Sequence, residues 1–366
     1  MQERRCLHEG RRALSTVATL TITLVAGCAS MGPGTIGRDR VSYDQAISDS
    51  WKQQLLLNLV KLRYGDAPVF LEVASVINSY SLDTQLDLGA SGQKGLGALN
   101  TASVGGSVHY SDRPTITYNP LLGDHFTRSL MTPISPTVIV ALVQSGWQAD
   151  AVFRVMVSSA NGVRNRFGGP ERAGGGDPDF YRLLESLRKI QAAGAIGMRV
   201  ERVKEQETAV LILNRKGLDE RARHEVDEFR RILGLKRDAH EFRIAYGFGP
   251  KGDDEVAMVT RSLLEILFFT ACWIQVPEAH VAEKRVLPAV TYETETEAGV
   301  TPLMKVSSGP SEPRDAFVSV RYRGTWFWID DRDLGSKQAL SFLLLLSSLT
   351  DAGPSKGAPI VTIPAG

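Results

Sequence analysis

Cysteine is scarce in this chain: 366 residues contain three, at positions 6, 28 and 272. None has a second cysteine at C-x-x-C spacing, so neither a zinc ribbon nor a disulfide-stapled scaffold is encoded. The histidines at 109, 125, 224, 240 and 280 form no H-E-x-x-H and no other close metal spacing, and no metal or cofactor is expected from them. No G-x-S-x-G elbow occurs, so a hydrolase nucleophile would have to be assembled by folding alone. Net charge of one sign is also missing: 42 basic residues stand against 41 acidic ones, which excludes the positive field of a nucleic-acid binder. Beyond the N-terminal segment no run of 18 apolar residues exists, and no transmembrane helix is expected.

What the sequence does contain begins at its start. Arg4, Arg5, Arg11 and Arg12 precede an apolar run from Ala13, which closes on Leu24-Val25-Ala26-Gly27-Cys28. A basic stretch, a short apolar stretch and small residues before a cut site make a secretory signal, too short to span a bilayer comfortably. The last five residues resemble the lipobox of bacterial lipoproteins. The resemblance implies cleavage between Gly27 and Cys28, diacylglycerol on the Cys28 sulfur, and a new N-terminus there. With Ala29 and Ser30 following, and no Asp after the cysteine, it further implies sorting to the outer membrane, lipid-anchored and facing the periplasm. Several acyl chains at about 0.8 kcal/mol per buried CH₂ hold far more firmly than one. Residues 1–27 carry four arginines and two glutamates, which leaves 38 basic and 39 acidic residues in the mature chain. With Cys28 lipidated, Cys272 is the only free thiol, in the apolar run Leu267–Trp273; such surroundings raise a thiol pKa and point to packing rather than nucleophilic chemistry.

After a polar, Gly-rich tether over 28–41, Ser42 and Gln45 fit a capping box. Ile47, Trp51, Leu55, Leu59 and Leu62 then recur at helical spacing up to Gly65. From Val69 the period falls to two. Tyr80, Leu82, Thr84, Leu86, Leu88 and Ala90 alternate with Ser81, Asp83, Gln85, Asp87 and Gly89. A return limb sets Ala102, Val104, Gly106, Val108 and Tyr110 against Ser103, Gly105, Ser107, His109 and Ser111. This is a long β-hairpin within 80–118, part of a helical region over 42–150. Its apolar face either lies on a protein core or a neighbouring subunit, or faces lipid. Limbs of this length match the roughly 9 to 11 residues of a transmembrane strand, and Tyr80 and Tyr110 fall at one end like part of an interfacial girdle. A single hairpin leaves its edges unpaired in lipid, so a ring of subunits would have to close a shared barrel. Leu122–Met131 reads as helical, and Ser135-Pro136 opens a further helix through Val143.

Residues 151–250 follow the order β-α-β-β-α-β: a strand over 152–158, a helix from Asp177-Pro178 to Gly194, strands 197–203 and 208–214, a helix 218–233 and a strand 240–246. That order predicts a ferredoxin-like module. In a second αβ module over 251–366, a helix 255–273 precedes strands near 302–306, 316–323 and 325–329, with Arg323-Gly324 as the turn. A helix capped by Ser336 and a strand over 359–364 complete it. The fold class is α+β, with two small modules behind a helical region that carries the hairpin.

Three short motifs carry little chemistry. Gly247-Phe-Gly249-Pro-Lys-Gly252 satisfies G-x-G-x-x-G, but Asp253 and Asp254 place negative charge where a phosphate would sit, and a glycine loop with acidic helix capping is expected. Asp330-Asp331-Arg-Asp333 lacks the spacing of a calcium loop and reads as turn and capping chemistry. Trp326 and Trp328 share one strand face opposite Phe327, as core aromatics do, although exposed they would suit a glycan or a partner. Three functions follow: a non-enzymatic lipoprotein acting as scaffold or subunit of an envelope assembly; an oligomeric outer-membrane pore or secretion channel built on hairpin 80–111, with Tyr80, Leu82, Leu86, Leu88, Val104, Val108 and Tyr110 toward membrane or partner; and an enzyme on an envelope polymer. The first is preferred. The partners expected are the membrane, other envelope proteins and further copies of the chain, with no nucleic acid.

Overall fold

The computed structural model describes residues 36–77, 80–91, 101–112, 115–165, 176–203, 206–214, 217–288, 302–350 and 361–364. Gly27, Cys28 and the signal segment lie outside them. The chain divides into two units, residues 1–52 and 53–366. In the first, the described part is the opening stretch of helix α1 (Ile36–Arg63). It begins at Ile36, so Ser42 lies inside the helix and does not cap it, and residues 36–41 of the predicted tether are helical. Trp51 is 46% exposed here, and the predicted apolar stripe is buried only from Leu55 onward, in the second unit.

The second unit is mixed α and β. Its strands are β1 (Leu71–Ile77), β2 (Tyr80–Ser91), β3 (Thr101–Asp112), β4 (Thr115–Pro120), β5 (Val157–Ala160), β6 (Val163–Arg164), β7 (Ile196–Val203), β8 (Gln206–Leu213), β9 (Glu241–Tyr246), β10 (Glu255–Thr260), β11 (Ser307–Gly309), β12 (Ala316–Tyr322), β13 (Thr325–Asp330) and β14 (Val361–Pro364). After α1 come helices α2 (Gly123–Phe126), α3 (Pro136–Gln144), α4 (Ala149–Met156), α5 (Pro178–Ala192), α6 (Glu220–Leu233), α7 (Leu263–Ala271), α8 (Glu278–Ala282) and α9 (Leu334–Thr350), with a π turn over Thr127–Met131. Several starts follow directly from the sequence. Ser135 accepts from the Thr137 N–H with Pro136 in the first turn of α3, Pro178 opens α5, and Asp219 accepts from the Ala222 N–H at α6.

The main sheet runs β6-β5-β10-β9-β8-β7, with β9 and β10 parallel and every other pair antiparallel. Helix α3 lies against β7, β8 and β9, and α5 packs on both α4 and α6. This corrects the predicted module at its strand order. A ferredoxin-like sheet sets the first strand beside the last, whereas here β10, from beyond residue 250, stands between β5 and β9, and β9 pairs with β8.

Two elements change type as well. The predicted strand 152–158 is helix α4 running into β5, because Ala149, Val152, Phe153 and Met156 are buried at helical spacing that starts upstream of the predicted strand. The predicted helix 255–273 is strand β10 followed by α7. Glu255–Thr260 is buried on both faces, as an inner strand is. A Ser262/Glu265 capping box then starts the helix, with the Ser262 side chain accepting from the Glu265 N–H and the Glu265 carboxylate from the Ser262 N–H. Glycines 247–252 therefore join two parallel strands. A strand follows them where a phosphate site needs a helix N-terminus, and Asp253 and Asp254 cap no helix.

The change from α4 to β5 occurs without a loop, and it exposes helix carbonyls to the interior. Arg261, 2% exposed, donates from Nη1 to the carbonyls of Arg154 (3.1 Å) and Val155 (3.0 Å), while its own N–H donates to Met156 (2.7 Å). Asn165 Nδ2 donates to Arg154 and Val157 carbonyls at 2.9 and 2.7 Å. The orphan end of α4 is thus satisfied from inside.

A third sheet, β11-β13-β12, buries Thr325, Phe327 and Ile329 and leaves Trp326 and Trp328 half-buried. Its short strand is Ser307–Gly309, not 302–306. Arg323 and Gly324 make the tight turn, both at positive φ. Helix α9 is capped by Asp333, whose carboxylate accepts from both the N–H and the hydroxyl of Ser336; Ser336 itself sits within the first turn. These hydrogen bonds hold the Asp333 carboxyl below its ordinary pKa.

Candidate assembly ribbon and its root

The predicted hairpin forms. Strands β2 and β3 pair antiparallel over twelve residues each and make a two-stranded sheet of their own. The register sets Leu82 opposite Tyr110, Thr84 opposite Val108, Leu86 opposite Gly106, Leu88 opposite Val104 and Ala90 opposite Ala102. Directly opposed residues share a face, so the apolar positions of one limb fall on the same face as those of the other. Asp83 opposite His109, Gln85 opposite Ser107 and Asp87 opposite Gly105 occupy the other face. Tyr80 is in register with Asp112, which adds a charged position at the Tyr80 end of the apolar band. Gly106 on the apolar side, and Gln85, Gly105, Ser107 and His109 on the polar side, are all exposed.

A second pair of strands flanks this ribbon in the chain. Strand β1 pairs with β4, and Ile77 faces Thr115 just as Tyr80 faces Asp112, so the pairing offset is the same on both sides of residues 78–79 and 113–114, which lie outside the described residues. A bulge at Ala74, between Val73 and Ser75, is the break in that register on the root side. Twelve residues at about 3.3 Å each make the ribbon about 40 Å long; tilted by about 45°, it covers about 28 Å, close to the hydrocarbon thickness of a bilayer.

The root is held from three directions. On one side, α1 presents two carboxamides one turn apart. Asn58, 1% exposed, donates from Nδ2 to the Val69 carbonyl (2.8 Å) and accepts from the Val69 N–H (2.9 Å). Gln54 does the same for Leu71, donating to its carbonyl at 2.9 Å and accepting from its N–H. Residues 69 and 71 direct these groups the same way, so the two side chains stand in for a neighbouring strand. On the other side, β14 pairs with β4 from Val361 opposite Tyr118 to Pro364 opposite Thr115. The Asn58→Ala variant is expected to lose about 1–3 kcal/mol, because it leaves the Val69 N–H and carbonyl without partners. Urea denaturation measures the loss, and faster amide exchange at residues 69–77 than in β8 locates it.

Below the root, the end of α1 is tied into the body through a cluster of ionisable groups that sequence reading did not find. The Asp66 carboxylate accepts from the Tyr322 hydroxyl and from Arg323 Nη2 at 2.9 Å. The Arg323 guanidinium lies over the rings of Tyr64 and Tyr322, at 5.4 and 5.5 Å. Tyr64 Oη and His280 Nδ1 are 2.7 Å apart. Burial raises the Tyr64 pKa against the pull of Arg63, Arg323 and Arg285. Arg63, 8% exposed, donates to the Ile274 carbonyl from Nε (3.2 Å) and to the Leu287 carbonyl from Nη2 (2.6 Å), and burial lowers its pKa. Cys272 is half-buried and its thiol donates to the Phe268 carbonyl at 3.2 Å. Burial raises the thiol pKa, as its apolar neighbours led us to expect. Apart from the Cys272–Phe268 bond and the Arg323–Tyr322 contact, these interactions join residues 63–66, at the end of α1, to the 274–287 segment or to the β12–β13 turn, which makes the cluster an anchor for the root. Only Gln54 and Asn58 left a trace in the sequence, as polar residues four apart flanking the buried leucines of α1.

A cleft of about 800 Å³ opens elsewhere, lined by Trp147, Val152, Val155, Leu303, Phe317 and Phe342 among others. Its two lining hydroxyls are engaged with helix carbonyls, Ser145 with Leu142 and Ser341 with Lys337. The Lys337 ammonium pairs with Asp331 at 2.7 Å. With Asp330 accepting from the Arg332 N–H and Asp333 capping α9, the three aspartates are used separately, in turn and cap. Among the described residues, no three of His, Cys, Asp and Glu gather as a metal would require, and no helix is long and apolar enough to cross a membrane. No family model, curated protein or solved structure matches the chain.

Proposed function

We propose that this protein is a lipoprotein anchored to the outer membrane through Cys28, facing the periplasm, and that it acts without catalysis as a subunit of an envelope assembly. The ribbon β2–β3 is the arm through which it assembles. One observation carries this reading: a twelve-pair ribbon, matched in pairing offset to a clamped root, that pairs with no third strand among the described residues. A two-stranded hairpin is marginal in water without a further partner, and the clamped root argues that the ribbon is held out for one. Its length, about that of a tilted transmembrane strand, favours a second reading, an oligomeric outer-membrane pore or secretion channel using residues 80–111.

Two measurements test the first reading. Cells grown with labelled palmitate are expected to label the unaltered protein and not the Cys28→Ser variant; equal labelling of the two, or none of either, refutes the lipid anchor at Cys28. Light scattering in detergent is expected to give a mass several times that of one chain. A monomer at all concentrations refutes the assembly.

A further inference from the structure

The fold treats the two halves of the long hairpin differently. At the root, β14 covers the outer edge of β4 from Thr115 to Tyr118, and the carboxamides of Gln54 and Asn58 cover residues 69 and 71, where β1 begins; beyond Leu71 the outer edge of β1 pairs with no strand among the described residues. Along β2 and β3, among the described residues, neither edge is paired. Proteins blunt or cover open edges because bare ones recruit other strands. Here the covering ends at Leu71 on one limb and at Thr115 on the other, and the ribbon edges stay open over twelve residues on each limb.

Resting on the assembly reading, we infer that the occupant of these edges is a second copy of this chain, with β2 of one protomer pairing against β3 of the next. Identical copies satisfy the geometry without a leftover edge. Each supplies one β2 edge and one β3 edge, and a rotation that repeats the contact closes a ring. Within each copy the two strands run in opposite directions, and rotation about one axis keeps every β2 pointing the same way. The contact between neighbours is therefore antiparallel like the contact within a copy, and the product is a closed barrel. The shared register gives this barrel one apolar surface, at positions 82, 86, 88, 104, 108 and 110, and one polar surface at 83, 85, 87, 107 and 109. Closure with the apolar surface outward satisfies every backbone group at membrane depth, which a single hairpin cannot do. On the β3 limb pairing between copies is confined to residues up to Asp112, because β14 occupies the edge of β4 from Thr115, whereas on the β2 limb the carboxamides reserve only residues 69 and 71.

The test uses the full chain with Cys272→Ser, purified and added to phosphatidylethanolamine/phosphatidylglycerol vesicles. Gln85→Cys protein is mixed with Ser103→Cys, Ser107→Cys or Ser111→Cys protein and oxidised; since each molecule carries one cysteine on its ribbon, a disulfide between the two variants reports β2 of one copy beside β3 of another. We expect cross-linked dimers in one of the three mixtures, and retention on the vesicles after an alkaline wash in a Cys28→Ser background. Leu86→Arg on the apolar face reduces that retention about tenfold or more, while Gln85→Arg on the polar face preserves it. Both arginine variants are checked for an unaltered melting transition of the body. Cross-links together with washed retention support the barrel. Cross-linked rings that the wash removes overturn the membrane barrel and leave the assembly reading standing. A protein that stays monomeric, with no cross-link in any mixture, overturns both.

Discussion

Replacing Arg261 with alanine is expected to lower the unfolding free energy by about 3–5 kcal/mol, the combined loss from the cavity left in the core and from two buried carbonyls deprived of a charged donor. The guanidinium binds the last carbonyls of α4, at Arg154 and Val155, and lies 5.0 Å from the Phe269 ring centre. Alanine leaves those carbonyls without this donor and opens a cavity between α4 and α7. Arg261→Met restores most of the volume and removes the burial of a charge, so it is expected to fall between alanine and the unaltered protein. Equal losses for the two variants would assign the effect to the lost donor alone, since methionine restores the volume. Burial pushes the Arg261 pKa down to about 10. A base that holds its proton less tightly when folded disfavours the fold by a constant amount below its folded pKa, and stability recovers only as pH rises from about 10 toward the ordinary arginine value. Between pH 5 and pH 9, therefore, the difference between the Arg261→Met variant and the unaltered protein is expected to stay flat.

Exchanging residues 81–111 for Asn-Gly is expected to abolish self-association completely while the body unfolds with an unchanged midpoint. Tyr80 and Asp112 face each other in the present register, so a two-residue type I′ turn closes the shortened hairpin without shifting β1 against β4. Of the excised residues, those whose burial is described, Gln85, Gly105, Gly106, Ser107 and His109, are all exposed. Mass in detergent and thermal unfolding read the two parts separately. An assembly that survives the excision places the contact somewhere other than the ribbon. A body that no longer unfolds cooperatively shows the ribbon to be part of the core.

The contrast between what sequence reading found and what it missed follows the range of the interactions. Helices α5 and α6, strands β7 and β8 and the hairpin all carry their own punctuation, such as Asp177-Pro178, Gly194, Asp219 and a strict period of two. Local rules suffice there. They fail at 149–156 and 255–260, where apolar residues are nearly continuous and helix and strand periods overlap; the Ser262/Glu265 box, which marks where β10 ends, lies inside the helix expected over 255–273 and was passed over. The strand order of the main sheet was out of reach for a different reason. The place of β10 beside β5 depends on contacts between Met258 and Ala160, about a hundred residues apart, and nothing in either segment names the other. The hairpin was readable as a pattern, and its register follows the pattern. The clamps at its root were not, because Asn58, Asp66, Tyr322 and Arg323 acquire roles only when α1, β1 and the β12–β13 turn meet.

Strand β14 gives the root a timetable. β4 is complete by Pro120, but the strand that covers its outer edge is Val361–Pro364, about 240 residues further along the chain. Closing so long a loop is slow, and contacts of this separation form late in folding. Through most of synthesis β4 keeps an open edge, and the base on which the ribbon stands is finished only when these residues dock. Copies that pair through their ribbons therefore do so from bodies already folded, since the ribbon has no fixed base until the rest of the chain has been made.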